Sequence, residues 1–327
     1  MTLRVAVTGP TGEIGISTIE ALEAHPDVSQ IVGMARRPFD PAQHGWTKTV
    51  YRQGDILDRE AVAALIAEVD VVVHLAFLIL GSREESARIN LAGTRNVFEA
   101  TVAADKPRRL VYTSSVAAYG YHSDTPVPIT EDVPPRGSPE HYYSEQKAAC
   151  EAALTDITAG TGLEVYVLRP CIVAGPKAPA LADAMPWRQL PTRVRQVSDV
   201  LPLLRPLVPD PGTPLQLVHH DDVAAAIALA VTTSAPAGAY NIAGDGVLSM
   251  SDVGDALGAR PVRVPRVAAV ATSAMIARLP FVPSMLEWLH LGRTSMVMDT
   301  RKARSQLGWQ PKYTSAETLS ALARAVR

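Results

Sequence analysis

The chain opens on Leu3-Arg4-Val5-Ala6-Val7-Thr8-Gly9-Pro10-Thr11-Gly12-Glu13-Ile14-Gly15, a short apolar run followed by three spaced glycines and then by the helical spacing of Ile14–Ala24. Glycine permits a tight turn and lets backbone amides approach an anion, and a helix N-terminus favours negative charge. A strand, a Gly9-x-x-Gly12-x-x-Gly15 loop and a helix in immediate succession predict a pyrophosphate-binding turn. Gly9, Thr11, Gly12, Glu13, Ile14 and Gly15 are therefore expected at a dinucleotide cofactor. Glu13 is at odds with its neighbours, because a carboxylate beside an anion site is repulsive unless it points outward or meets a cation.

Working outward, Gln30–Met34, Val69–Val73, Arg109–Thr113 and Val165–Leu168 also read as strands, and Asp58–Glu68, Ala87–Ala104 and Glu140–Thr158 as helices. Nearly continuous apolar strands imply a sheet covered on both faces, and their alternation with helices predicts an α/β, Rossmann-type doubly wound parallel sheet. Residues 1–175 are expected to form this nucleotide-binding domain. Residues 176–327 are expected to be mainly a smaller C-terminal substrate-binding region, with some segments returning to the sheet. Nine prolines between Gly175 and Pro214 break any long helix there, and a Pro-rich crossing, Thr125–Pro139, precedes the helix at 140. Arg266–Leu291 reads either as a helix pair on a core or subunit interface, as in a homodimer, or as a lid over an apolar ligand.

With 327 residues, 47% hydrophobic and 20% charged, the chain has material for a sizeable core and no disordered signature. A net charge of −2 argues against nucleic acid as a partner. Cys150 and Cys171 stand far apart, outside any metal or disulfide pattern, so no metal site is expected and a cytoplasmic setting fits. Neither Val71–Leu80 nor Val267–Ala277 reaches the roughly 20 apolar residues of a membrane span, and Met1–Gly9 lacks the apolar core of an export signal.

The second strand ends in Arg36-Arg37, and Arg36 lies 21 residues beyond Gly15. An acidic residue there would take the ribose hydroxyls of NAD, whereas an arginine accommodates the 2′-phosphate of NADP. NADP(H) is favoured over NAD(H), the alternative being two arginines that only solvate a loop.

Tyr143 and Lys147 stand four residues apart, one turn along a helix face. A cation about 4 Å from a phenol is worth about 4 kcal/mol at an effective dielectric near 20, which predicts a Tyr143 pKa lowered by roughly 3 units. Tyr112-Thr113-Ser114-Ser115 lies at the carboxyl end of a strand, where such sheets place ligands, and Ser115 would hydrogen-bond a substrate oxygen beside Tyr143.

Here the chain resembles the extended short-chain dehydrogenase/reductases, the NAD-dependent epimerase/dehydratase family. The resemblance runs in order through Thr8–Gly15, Gly54-Asp55-Ile56, His74-Leu75-Ala76, Asn90–Asn96, Ser114-Ser115, Tyr143 with Lys147, Leu168-Arg169-Pro170, His219–Ala224 and Asp299 with Leu307–Pro311. It implies Tyr143 as acid/base, Ser115 as the orienting hydroxyl and Lys147 as a further contact to the nicotinamide ribose. It also implies Asp55 and Ile56 at the adenine, Leu75 and Ala76 along the cleft, and Asn90 in support of the catalytic residues. By the same resemblance, Thr113, Pro170 and Ile172 would complete the cofactor lining. Asp221-Asp222 reads as an N-cap and first-turn charge rather than a metal site, and His219 and His220 as structural.

Departures narrow the branch. Val116 and Ala117 stand where dehydratases carry acidic residues, Ile172 where nucleotide-sugar enzymes place an asparagine, and Arg293–Met296 lacks their C-terminal diphosphate motif. The expectation is a ketone/alcohol oxidoreductase acting on a moderately hydrophobic small molecule. The alternatives are a nucleotide-sugar epimerase using the same three residues, or a non-catalytic NADP-binding protein.

Overall fold

Val5 and Val7 face one side of the first strand and Ala6 the other, and all three are buried, so the strand is covered from above and below. The computed structural model describes residues 2–79, 82–189, 205–265 and 294–326. The expected helix pair at 266–291 lies outside the described residues, as does part of the Pro-rich stretch.

In chain order the first half comprises β1 (Leu3–Thr8), α1 (Gly15–Ala24), β2 (Val28–Ala35), β3 (Thr49–Gln53), α2 (Arg59–Ile66) and β4 (Val71–His74). It continues with α3 (Arg83–Ala87), a π-helical turn over Arg88–Gly93, α4 (Thr94–Ala103), β5 (Arg109–Thr113), α5 (Tyr142–Thr158) and β6 (Glu164–Pro170). The second half comprises β7 (Ile172–Ala174), α6 (Ala180–Asp183), β8 (Leu207–Asp210), β9 (Leu217–His219), α7 (His220–Thr232) and β10 (Gly238–Ile242). After these come α8 (Met250–Ala256), β11 (Arg260–Arg263), α9 (Arg301–Gln306) and α10 (Ser315–Ala325).

Seven strands form one sheet in the order β10-β6-β5-β4-β1-β2-β3, with every neighbouring pair parallel. The fold is a Rossmann-like α/β fold. Its order reverses between β1 and β4, so a crevice opens at the carboxyl ends of these two strands. β10, from the second half of the chain, pairs with β6 over Gly238–Ile242.

The strand residues sort by period two into two cores. Val5, Val7, Val73 and Val111 pack with Ile19 of α1 and with Val223 and Ile227 of α7. Ala6, Val72, Leu110 and Tyr112 face the other way, against Val62 and Ile66 of α2, Phe98 of α4 and Leu154 of α5. A third cluster joins Leu181, Met185 and Trp187 to Leu217, Val253 and Leu322 in the second half.

Two differences from the sequence reading have simple causes. β3 was not anticipated, because Thr49–Gln53 is an edge strand with no fully buried residue and carries no apolar run. The helix expected over Ala87–Ala104 begins at Arg83, where Ser82 caps it, and widens into the π turn before α4. The Thr125–Pro139 crossing is anchored to the sheet, since Ile129 is buried and its carbonyl accepts from Asn241 Nδ2 at 3.0 Å.

Candidate active site

The glycine loop closes on itself at the sheet's switch point. Gly9 has φ +74°, and a Cβ there would stand 2.9 Å from the backbone nitrogen of Ala76, so the turns after β1 and β4 touch backbone to backbone. A Cβ on Gly15 would lie 2.3 Å from the Gly9 carbonyl oxygen and 2.6 Å from the Pro10 carbonyl carbon. No side chain caps α1 and its first turn holds no acidic residue, which leaves the amino end of the helix open to an anion. These residues fit a dinucleotide, with Gly9–Gly15 at its phosphates. Gly15→Ala is expected to cost about 1–3 kcal/mol of stability and to weaken cofactor binding by about tenfold or more. Thermal unfolding and cofactor fluorescence read these two effects, and wild-type values in both would contradict the close packing.

Glu13 finds its partner away from the loop. Its carboxylate accepts from the Ala180 backbone nitrogen at 2.9 Å, tying the glycine loop to α6. Burial raises its pKa, opposed by that hydrogen bond. Lys177 Nζ pairs with Glu20 at 2.5 Å, and Ser17 Oγ meets His220 Nδ1 at 2.8 Å, so the glycine loop and α1 together are joined to the following half of the chain at three points.

Arg36 and Arg37 lie exposed just past β2, and their carbonyls are held by Gln53 Nε2 and Tyr51 OH. Neither guanidinium is engaged among the described residues. Asp55 accepts from Leu57 N at 3.0 Å in a tight turn, and Ile56 is buried beneath Gly93. Leu75 N donates to the Thr8 carbonyl at 3.1 Å, which fixes the start of the turn that carries Leu75 and Ala76. Pro170 ends β6 opposite Ile242, and Ile172 begins β7 opposite Leu217. His74 bridges Thr8 Oγ1 at 2.6 Å and Thr94 Oγ1 at 2.9 Å, and burial holds its pKa down to about 3, so it stays neutral.

Ser115, Tyr143 and Lys147 come together at the carboxyl end of β5. Ser115 caps the 3₁₀ turn Val116–Tyr119, accepting from Ala117 N at 3.1 Å, and its hydroxyl lies close enough to the Tyr143 phenol to pull the phenol's pKa down. Lys147 is buried, and its Nζ donates to the Thr113 carbonyl at 2.9 Å. Burial lowers the Lys147 pKa to about 8, opposed by Cys150 and Glu151. Thr113 Oγ1 is buried without a hydrogen-bond partner.

The expected depression of the Tyr143 pKa is not what this arrangement produces. Burial raises it, with the Ser115 hydrogen bond pulling the other way. The reason is geometric: Lys147 Nζ turns toward Thr113 and the Phe77 ring and stands 5.9 Å from the Tyr143 ring centroid. The Tyr143 phenol thus keeps its proton near neutral pH.

Asn90 is wholly buried in the π turn. Its amide donates to the Leu78 carbonyl at 2.9 Å and to Gln146 Oε1 at 2.8 Å, while Oδ1 accepts from Leu78 N at 2.7 Å. It braces the turn after β4 against α5 from behind.

Several contributing residues were not singled out from sequence. Glu151, one turn beyond Lys147, takes both Arg169 Nε at 3.0 Å and Arg169 Nη2 at 2.6 Å, and also accepts from Ser114 Oγ. Arg169 Nη1 continues to Tyr119 OH at 2.9 Å, and Tyr119 OH donates to Asn241 Oδ1 at 2.7 Å. This buried chain braces β5, β6 and β10 around the 3₁₀ turn that presents Ser115. A charge inside the apolar β6 was the available signal.

The acidic pair before α7 is also explained. His219, rather than an aspartate, supplies the N-cap, accepting from Asp221 N at 3.2 Å, and Asp221 and Asp222 occupy the first turn. Asp222 accepts from Lys312 N at 2.8 Å and Tyr313 N at 3.1 Å, fastening the segment after Trp309. Donor atoms of His219, His220 and Asp221 lie within 4.8 Å of one another. His220 Nε2 accepts from Lys177 N at 3.2 Å, and its Nδ1 meets Ser17, so both ring nitrogens serve the protein.

Among the described residues no helix is long and apolar enough to cross a membrane. An uncharacterised protein of Mycobacterium tuberculosis is 27% identical over 327 residues, spanning 96% of this chain and 81% of that protein. L-Arabinose 1-dehydrogenase (NAD(P)(+)) of Haloferax volcanii is 31% identical over 182 residues, 51% of this chain and 65% of its own. UDP-glucuronic acid 4-epimerase from Bacillus cereus, in complex with NAD, superposes with a TM-score of 0.72 at 19% identity, covering 99% of this chain and 96% of that one. The Bordetella bronchiseptica enzyme WbmG, in complex with NAD and UDP, gives 0.71 at 20% identity, covering 99% and 94%. The family model for NAD dependent epimerase/dehydratases matches residues 5–243, from β1 to just past β10, and the chain belongs to that family of NAD-dependent extended short-chain dehydrogenase/reductase enzymes.

Proposed function

We propose that the chain is an NADP-preferring oxidoreductase that interconverts a ketone and a secondary alcohol on a moderately hydrophobic small molecule. The observation that carries this reading is the grouping of Ser115, Tyr143 and buried Lys147 at the carboxyl end of β5, flanked by buried Val116 and Ala117 and not by a second acid or base. A nicotinamide cofactor held by the glycine loop would supply the hydride that a carbonyl carbon accepts. Ser115 Oγ orients the substrate oxygen, and the Tyr143 hydroxyl delivers the proton to it. The Thr113 carbonyl fixes Lys147 in place behind the pair, with its charge directed away from the phenol and toward the cofactor side of the site. Dehydration needs a further proton acceptor beside Ser115, and Val116 and Ala117 offer none.

Purified protein given NADPH and a panel of apolar ketones is expected to consume cofactor in proportion to ketone. Binding without turnover across the whole panel would overturn the reading in favour of a non-catalytic binding protein. A nucleotide-sugar epimerase is the second reading, favoured by the NAD and UDP in the WbmG neighbour. Against it stands Ile172, an apolar side chain where a diphosphate needs a polar one.

The unengaged guanidinium of Arg36, held just past β2, supports NADP over NAD. Arg36→Asp is expected to weaken NADPH binding by about 10–100-fold, the worth of a hydrogen bond to a charged group, and to leave NADH binding nearly unchanged. Equal losses in fluorescence titrations would contradict the assignment.

A further inference from the structure

Phe77 follows His74-Leu75-Ala76 in the turn after β4, and nothing in its sequence position marks it. Its ring centroid lies 3.6 Å from Lys147 Nζ, and its plane stands edge-on to the Tyr143 ring at 5.5 Å and 83°. The face of an aromatic ring attracts a cation, most strongly where water is excluded, and Lys147 is buried. Lys147 therefore sits between two attractive groups, the Thr113 carbonyl at 2.9 Å and the Phe77 ring. The backbone holding that ring is itself fixed, since Asn90 grips Leu78 at both its nitrogen and its carbonyl.

We propose that Phe77 is a positioning residue for Lys147: its ring keeps the buried ammonium charged and aimed at the cofactor side of the site. The proposal rests on the reading of Tyr143 and Lys147 as catalytic, and it goes beyond that reading by assigning the lysine's charge state to an aromatic side chain from a different element. An aliphatic cover would exclude water just as well but would offer no negative face. The pair thus separates two effects of a hydrophobic neighbour, desolvation, which disfavours the cation, and the ring quadrupole, which favours it.

The other groups facing Lys147 are Tyr143, Cys150 and Glu151 on its own helix, Tyr112 on β5, whose ring centroid is 5.2 Å away, and His74 on β4. Cys150 and Glu151 also favour the charged lysine, but both lie on its own helix and Glu151 is shared with Arg169, while His74 is held neutral and burial raises Tyr112, so the Phe77 ring is the attractive group that the turn after β4 supplies. With Lys147 titrating near 8, a loss of the ring's attraction falls within the range of ordinary assays.

The test is the pH dependence of NADPH binding, followed by fluorescence without turnover, in the wild type and in Phe77→Leu, Phe77→Trp and Lys147→Ala. In the wild type, affinity is expected to fall as pH rises through about 8. Phe77→Leu should move that alkaline limb down by about one unit, leave affinity near pH 6 unchanged and weaken binding near pH 8 by about fivefold. Phe77→Trp, which restores a π face, should return the limb to its wild-type position. An unshifted limb in Phe77→Leu, or an equal shift in Phe77→Trp, would overturn the proposal while leaving the catalytic reading intact. If Lys147→Ala keeps the wild-type limb, the lysine is not the titrating group and the underlying reading fails first.

Discussion

Tyr143→Phe is expected to lower kcat/KM for carbonyl reduction by about 10²–10⁴-fold, the usual worth of a positioned general acid. The substitution removes one oxygen and leaves the ring, whose edge-on contact with Phe77 at 5.5 Å and place on α5 do not depend on the hydroxyl. Cofactor affinity should therefore remain within a few-fold of wild type, because Lys147 keeps its bond to Thr113 and the hydrogen bonds of the glycine loop do not involve the Tyr143 hydroxyl. The Ser115 hydroxyl loses its partner and cannot replace the proton, since at ordinary pH it is far too weak an acid. Parallel measurement of initial rates and of cofactor binding checks both halves. A variant that binds normally and still turns over at a tenth of the wild-type rate or better would remove Tyr143 from the chemistry.

Glu151→Ala should have the largest effect on stability, about 3–5 kcal/mol, because it leaves Arg169 charged and buried without a counter-ion. Only 5% of the Arg169 side chain and 6% of the Glu151 side chain are exposed, and the two make a bidentate pair at 3.0 and 2.6 Å. The loss would propagate, since Arg169 also donates to Tyr119, and Tyr119 holds Asn241 on β10. The double variant Glu151→Met/Arg169→Met removes both charges and fills the space with apolar atoms, so most of the lost stability should return. Urea unfolding of the three proteins decides the matter. A double variant as unstable as Glu151→Ala alone would show that the hydrogen-bonded chain, and not an uncompensated charge, sets the cost.

Much of the frame that carries these residues was legible in the sequence. β1 and β5 were read with their observed bounds, because central parallel strands are apolar on both faces and end at glycine or serine. The placement of Tyr143 and Lys147 one turn apart on a helix was legible through their spacing, and that of Ser115 just past a strand through the run before it. The direction of Lys147 Nζ was not legible, since Thr113 and Phe77 reach it from other elements. Glu13 looked anomalous because its partner, Ala180 N, lies 167 residues away. Edge strand β3 and the π turn around Asn90 were hidden for a common reason, as tertiary contacts and not local patterning produce them.

The pieces cooperate through the sheet's switch point. The tight Gly9–Ala76 contact draws the turn after β4 against the glycine loop, and the same turn carries Phe77 to Lys147. The glycine loop and Lys147 therefore share one structural support, braced from behind by Asn90 and Gln146.

The central claim is that Ser115, Tyr143 and Lys147 carry out net carbonyl reduction. Its most direct test is the stoichiometry of NADPH consumed per product formed by the purified protein, over apolar ketones and sugar nucleotides in turn. The account predicts one NADPH oxidised for each ketone reduced, with no conversion of the sugar nucleotides. Conversion of a sugar nucleotide without net consumption of cofactor would contradict it and would make the chain an epimerase.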